Sequence, residues 1–201
     1  MGMIGLDKSM SLDGFITGRN PGPDQPLGEG GDRIFAWMIA DRPERLSTEY
    51  TETLGDALTA TGAVIMGKRS FEIIDSPEGW VAPNGTPFPW PVFVLTHEER
   101  EPVTKGKTAF TFVNDGIESA LARAKAIAGE KHIGLMGGNV AQQFIKAGLV
   151  DEITIHLVPV FVGGGIRLFD HLGVAPIELE CTSVEAAPGV THLRFRVVNK
   201  T

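Results

Sequence analysis

Two stretches do most to limit the fold of this chain: "GAVIMGKRSFEII" (62–74) and "HIGLMGGNVAQQFI" (132–145). In each, a short apolar run stops at glycine and a helical pattern resumes at once. Glycine weakens strands and helices alike, so Gly67 and the pair Gly137-Gly138 need a reason to stand at these junctions. A sharp backbone turn or the close approach of backbone to a ligand supplies one. Short apolar strands alternating with helices predict an α/β architecture built on a largely parallel, doubly covered sheet.

The rest of the chain extends that pattern. "MIGLDKSMSLDGFITG" (3–18) reads as a first strand, a kink near Asp13-Gly14 and a short extended segment through Ile16. Residues 19–31 are rich in proline and glycine and form a long loop. Asp32 opens a helix over "DRIFAWMIAD", with Ile34, Phe35, Met38 and Ile39 at helical spacing. A second helix covers Glu49 to Ala60, with Ser47 or Thr48 as its N-cap. Residues 63–66 form a buried strand that runs through Gly67 into a helix. The stretch 76–91 holds five prolines and is a loop, because prolines this dense remove regular hydrogen bonding. "VFVLTH" (92–97) and "AFTFV" (109–113) are further strands. Asp115 caps the next helix, with Glu118 three positions on as in a capping box, and Ile117, Leu121, Ala124 and Ala128 face inward. "HIGLM" (132–136) is a strand, and Asn139 to Ala147 a helix with Val140, Phe144 and Ile145 inward. "EITIHLVPVFV" (152–162) is a long strand. "THLRFRVV" (191–198) alternates cleanly and pairs with "IELECTSVEAA" (177–187) as an antiparallel hairpin. The expectation is one domain over 1–201: a three-layer α/β sandwich, its central sheet mostly parallel with an antiparallel C-terminal edge.

Composition removes several function classes. No apolar run approaches the ~20 residues of a membrane span, and "MGMIGLDKSM" lacks the layout of a secretory signal. A lone Cys181 excludes an intramolecular disulfide framework and fits a reducing cytoplasm. Net charge of −7 with no long basic run argues against nucleic-acid binding. No zinc-deaminase pattern is present, and no metal site is expected.

Three strand ends carry chemistry: "MGKRS" (66–70), "LTH" (95–97) and "MGGN" (136–139). In an open parallel sheet, ligands bind outside the carboxyl ends of the strands. If these strands are neighbours, the three stretches meet in one crevice, where free N–H groups at helix starts suit a pyrophosphate. Lys68 and Arg69 would add positive charge there, and Ser70 and Thr96 hydroxyls. Taken singly each feature is ordinary: Gly-Gly before a helix is tight packing, Lys68-Arg69 a solvated helix start, His97 a surface residue. The G-x-G-x-x-G fingerprint is absent, so a Rossmann domain is not supported.

The ordered motifs "VIMGKRSFEII", "PVFVLTH", "IGLMGGNVAQQFI" and "DEITIHLVPVFVGGGIRLF", with "SMSLDGFITG" near the start, resemble the dihydrofolate reductase-like superfamily. The branch they resemble most is the reductase domain of the riboflavin-biosynthesis deaminase–reductase and its stand-alone relatives. The resemblance implies NADPH-dependent hydride transfer to a small pyrimidine- or pterin-like heterocycle. It places Gly67, Lys68, Arg69 and Ser70 beside the adenosine 2′-phosphate and pyrophosphate, and Leu95, Thr96 and His97 beside the adenine ribose. Gly137, Gly138, Asn139 and Val140 would line the pyrophosphate and nicotinamide, with a cis peptide between the glycines, and Ser9 and Ile16 would form the opposite wall. Two carboxylates compete as the catalytic group. Asp32 would match the helical carboxylate of dihydrofolate reductase or would merely cap its helix. Asp13 would border the pocket or would only stabilise the Asp-Gly turn. Met10, Phe15, Trp37 and Met38 read as core, and His156 as structural. The related domains pair, so a homodimer is implied. The other reading is a nucleotide-binding protein of the same fold without turnover, favoured by the want of a clear proton donor.

Overall fold

The computed structural model describes residues 2–40 and 45–198. Its strands are β1 (Ile4–Ser11), β2 (Thr61–Gly67), β3 (Val92–Leu95), β4 (Val103–Lys105), β5 (Thr108–Val113), β6 (His132–Met136), β7 (Glu152–Val158), β8 (Leu179–Ala187) and β9 (Val190–Val197). The helices are α1 (Asp32–Phe35), α2 (Thr48–Ala60), α3 (Lys68–Ile74), α4 (Ile117–Ala128) and α5 (Gly138–Lys146). All nine strands join one sheet in the order β4-β5-β3-β2-β6-β1-β7-β9-β8. From β5 to β7 every neighbouring pair is parallel. At one edge β4 pairs antiparallel with β5, and at the other β9 pairs antiparallel with β7 and β8.

Two apolar layers hold the sheet between helices. Ile65, Phe93, Ile133 and Leu135 on one face pack with Ala124 and Leu121 of α4 and Phe144 and Val140 of α5. Val64, Met66, Val92 and Val94 on the other pack with Leu54 of α2 and Phe71 of α3. Residues 63–66 are buried on both faces, as a strand inside a doubly covered parallel sheet must be. Ser47 caps α2 by accepting from the Tyr50 N–H at 3.0 Å.

Several expectations change. The helix from Asp32 is one α-turn followed by a 3-10 turn over Ala36–Met38, and the chain turns extended at Ile39, which bridges to Leu46. Its inward residues, Ile34 and Trp37, are three apart, which suits the tighter helix. Asp115 does not cap α4. Gly116 holds that position at φ 100°, and the Asp115 carboxylate reaches forward to the Ser119 hydroxyl at 2.8 Å. The strand from 152 stops at Val158, because Pro159 has no N–H to continue the ladder. The short hairpin strand β4 was not foreseen in the sequence.

Candidate active site

Parallel register brings three predicted segments to one edge. Gly67 pairs with Leu95 and Met66 with Met136, so β3, β2 and β6 are neighbours ending at the same level. The turns that follow interlock. A side-chain carbon placed on Gly137 would lie 2.7 Å from the Ser70 hydroxyl, and one on Gly67 would meet Val140 at 3.5 Å. Gly138 is buried beneath Ile16 and Ile166, where an added carbon would come within 3.4 and 3.0 Å of their side chains.

The glycine pair answers two separate demands. Gly137 has φ 94° and ψ 144°, a conformation open to glycine and costly for other residues. The Gly137–Gly138 peptide is trans, in place of the expected cis bond: among the described residues no cis peptide occurs. The positive φ alone makes the sharp turn from β6 into α5. No side chain caps α5, so the N–H groups of its first turn are open to an anion at this edge.

The cationic and polar residues nearby are partly engaged. Lys68 pairs with Glu98 at 2.6 Å and with Glu72 at 3.7 Å, and the hydrogen bond to Glu98 holds its ammonium above the usual range. The Arg69 guanidinium donates to the Pro21 carbonyl at 2.9 Å, tying the 19–31 loop to α3. The Thr96 hydroxyl accepts from the Glu98 N–H at 3.1 Å, His97 is exposed, and the Asn139 side chain accepts from Gln143 at 2.6 Å. Ser9 accepts from the Trp37 indole N–H at 3.0 Å and is buried.

Neither expected carboxylate is placed for catalysis. The Asp32 side chain is 75% exposed and lies 3.9 Å from Arg33. It is the first residue of α1, whose N-cap is Gly31, so it is neither a buried acid nor the cap. Asp13 is a staple. One oxygen accepts from the Ser11 hydroxyl at 2.6 Å and the Val162 N–H at 3.2 Å, the other from the Gly163 N–H at 2.8 Å. Partial burial pushes its carboxyl up, but these bonds prevail and hold it below the usual range.

A different carboxylate sits at the rim. Leu6 pairs with Leu135, so Asp7 stands beside Met136, one step before the glycine turn. Asp7 and Ser9 point to the α2 face, while Leu6 and Met10 pack with the α5 layer. The Asp7 side chain is 61% exposed, yet the protein atoms packed around its strand push its carboxyl up by desolvation. Its hydrogen bond and charge interaction with His156, with smaller help from Lys8 and Arg194, prevail and hold it below the usual range. His156 Nε2 lies 2.9 Å from Asp7 Oδ1, and His156 Nδ1 lies 2.6 Å from His192 Nδ1. The Trp37 ring lies 4.8 Å from the His156 ring and 5.3 Å from that of His192. Sequence reasoning passed over Asp7 and His192, and read His156 as structural and Trp37 as core. The available signal was the row Asp7, Ser9, Ser11, a polar face on a strand whose other face is apolar but for Lys8.

The sequence pattern of the RibD C-terminal domain matches residues 3–193. The chain belongs to the RibD C-terminal domain family. Within that family's wider likenesses, it is 29% identical over 171 residues to the uncharacterized protein YyaP of Bacillus subtilis (strain 168), covering 82% of this chain and 78% of that one. A 63-residue match at 38% identity links it to the uncharacterized protein YwjB of the same organism, over 31% of this chain and 36% of the other. Among solved structures, a candidate riboflavin biosynthesis protein from Shewanella sp. PV-4 superposes with a TM-score of 0.71 at 20% identity, over 98% of this chain and 99% of that one. The Thermotoga maritima diaminohydroxyphosphoribosylaminopyrimidine deaminase/5-amino-6-(5-phosphoribosylamino)uracil reductase superposes with a TM-score of 0.64 at 13% identity, over 98% of this chain and 57% of that one. The chain thus shares the fold of both solved structures over nearly its whole length. Among the described residues no helix is long and apolar enough to cross a membrane, and no cluster of metal-ligating side chains occurs.

Proposed function

We propose that this protein is an NADPH-dependent reductase that transfers hydride to a small pyrimidine- or pterin-like heterocycle. One observation carries the reading: two glycine junctions and a third strand end stand side by side at the carboxyl edge of the sheet. The residues fit a dinucleotide. The uncapped first turn of α5, entered through the positive-φ turn at Gly137, offers N–H donors to a pyrophosphate. Arg69 would meet the 2′-phosphate, with Lys68 held back by Glu98. Ile16 and Ser9 would bound the nicotinamide end. The bound cofactor would supply the hydride. The chain would bind it, orient the acceptor and provide a proton. A homodimer in the cytoplasm is part of the same proposal.

Fluorescence titration with NADPH tests the cofactor, and absorbance-monitored NADPH oxidation tests turnover. The acceptors are 5-amino-6-(5-phosphoribosylamino)uracil, dihydrofolate and menadione. Saturable NADPH binding and oxidation by a pyrimidine are expected, with poor turnover of dihydrofolate, since Asp32 is not a buried acid. A protein that does not bind NADPH would defeat the reading.

A further inference from the structure

We propose that Asp7 delivers the proton that accompanies hydride transfer in this cleft, and that it is resupplied through His156 and His192. The inference rests on the reductase reading above. Addition of hydride to the carbon of a C=N or C=O bond breaks its π bond and leaves the electron pair on nitrogen or oxygen, which must gain one proton. Asp32 and Asp13 do not stand ready to give it. Asp7, a carboxylate at the rim beside Met136 with an exposed side chain, can pass on a proton that it first receives from His156. Among the described residues, its second oxygen has no hydrogen-bond partner.

Behind Asp7 the hydrogen bonds form a line. The two facing Nδ1 atoms, 2.6 Å apart, need one hydrogen between them. With His156 Nε2–H donating to Asp7, His156 Nδ1 is the acceptor and His192 Nδ1–H the donor. His192 Nε2 then carries a lone pair, and His192 is only half-buried, so a proton can enter there. His156 is 4% exposed and Trp37 lies against both rings, which keeps water from short-circuiting the line. One proton enters at His192 Nε2 and one passes from His192 Nδ1 to His156 Nδ1. One passes from His156 Nε2 to Asp7, and Asp7 gives one to the substrate. Each group ends with as many protons as it began with, and the two rings have exchanged tautomers.

The surrounding charges are Lys8 and Arg194 near Asp7, and Glu49 on α2 and Glu185 on β8 near His192. Tyr50 is the remaining titratable neighbour. Burial alone calls for partners on both nitrogens of His156, and both have them. Here the line runs from a half-buried ring to an open carboxylate.

The test begins without substrate. In protein labelled with ¹⁵N-histidine, His156 should appear as the Nε2–H tautomer and His192 as the Nδ1–H tautomer. Their titrations should be linked, and Asp7→Asn should shift both. Two rings titrating independently, unmoved by Asp7→Asn, would overturn the proposal. In NADPH oxidation with 5-amino-6-(5-phosphoribosylamino)uracil, Asp7→Asn should lower kcat by roughly 10²-fold or more with NADPH affinity unchanged. His192→Phe should displace the pH profile of kcat and enlarge the solvent isotope effect, with His192→Gln used if the first variant does not fold. A rise in KM with kcat unchanged in Asp7→Asn would make Asp7 an anchor and overturn the relay. Wild-type protein that fails to bind NADPH defeats the reductase reading, whereas bound NADPH with unlinked imidazoles defeats the relay alone.

Discussion

Gly137→Ala isolates what the turn between β6 and α5 demands. The residue sits at φ 94° and ψ 144°, outside the small left-handed region that alanine tolerates. Holding alanine there costs about 1–3 kcal/mol. Alanine also restricts the unfolded chain, which returns about 0.4–1 kcal/mol. A second cost is steric: the new carbon would lie 2.7 Å from the Ser70 hydroxyl, closer than carbon and oxygen can rest, so one of them must move. A net loss of about 1–3 kcal/mol lowers the melting temperature by about 2–12 °C for a chain of this size. Thermal and urea unfolding of Gly137→Ala, Ser70→Ala and the double variant would separate the two terms. Removing the hydroxyl should restore the steric part and leave the backbone part. NADPH titration on the same proteins should show weakened binding in Gly137→Ala, because the moved turn carries the first N–H groups of α5. If Gly137→Ala melts within about 1 °C of the wild type, the backbone cost estimated from general strain energies is wrong. If Ser70→Ala restores nothing, the contact is not a constraint.

Other substitutions read other parts of the edge. Arg69→Ala should weaken NADPH by about 10- to 150-fold and spare NADH, the worth of a charge-assisted bond to phosphate; equal losses for both cofactors at fixed ionic strength would show that Arg69 acts through its bond to Pro21. Gly138→Val should lose NADPH binding, since a side chain there presses on Ile166 and Ile16; unchanged binding in a folded variant would refute this. Asp13→Asn should melt below the wild type at pH 7. The Asp13 carboxyl is held below its usual 3.8, so its stabilisation is full above that value and is lost as pH falls through the lower folded value, and the two melting temperatures should converge in acid. Light scattering at micromolar concentration should give a dimer mass, since β8 ends the sheet with an unpaired edge and exposes Val184 and Leu179; a monomer mass would refute that pairing.

The elements near the glycine junctions were legible because two local signals agree there. Apolar runs of strand length end at glycine, and helical spacing begins on the next residues. Strand β4 was not legible, because three residues with an exposed centre show no periodicity. The α1 region misled for a related reason: Ile34, Phe35, Met38 and Ile39 fit a long helix, but the tertiary contacts of Ile34 and Trp37 favour a short one. The three strand-end segments that meet at one edge could be named from sequence because each carries its own glycine or hydroxyl. The line from Asp7 could not. His156 lies 149 residues from Asp7 and 36 from His192, and only the strand order β1-β7-β9 sets them side by side. The resemblance to dihydrofolate reductase pointed to a carboxylate on the first helix, whereas this chain presents one on the first strand.

The position of β1 also bears on how the molecule comes together. Its two partners, β6 and β7, begin at His132 and Glu152. The wall built on the segment after it is closed from equally far away: Ile16 donates to the Ile166 carbonyl, Leu168 to that of Gly14, and Asp13 grips the N–H groups of Val162 and Gly163. Strand β1 therefore pairs only with strands that come far later in the chain. A chain that stops short of Ile166 holds every element through β7 but lacks the bonds that Ile166 and Leu168 make to Ile16 and Gly14. Folding should be slow for a chain of this length, since the closing contacts span long loops, and a ligand that needs both walls can stabilise only the finished chain.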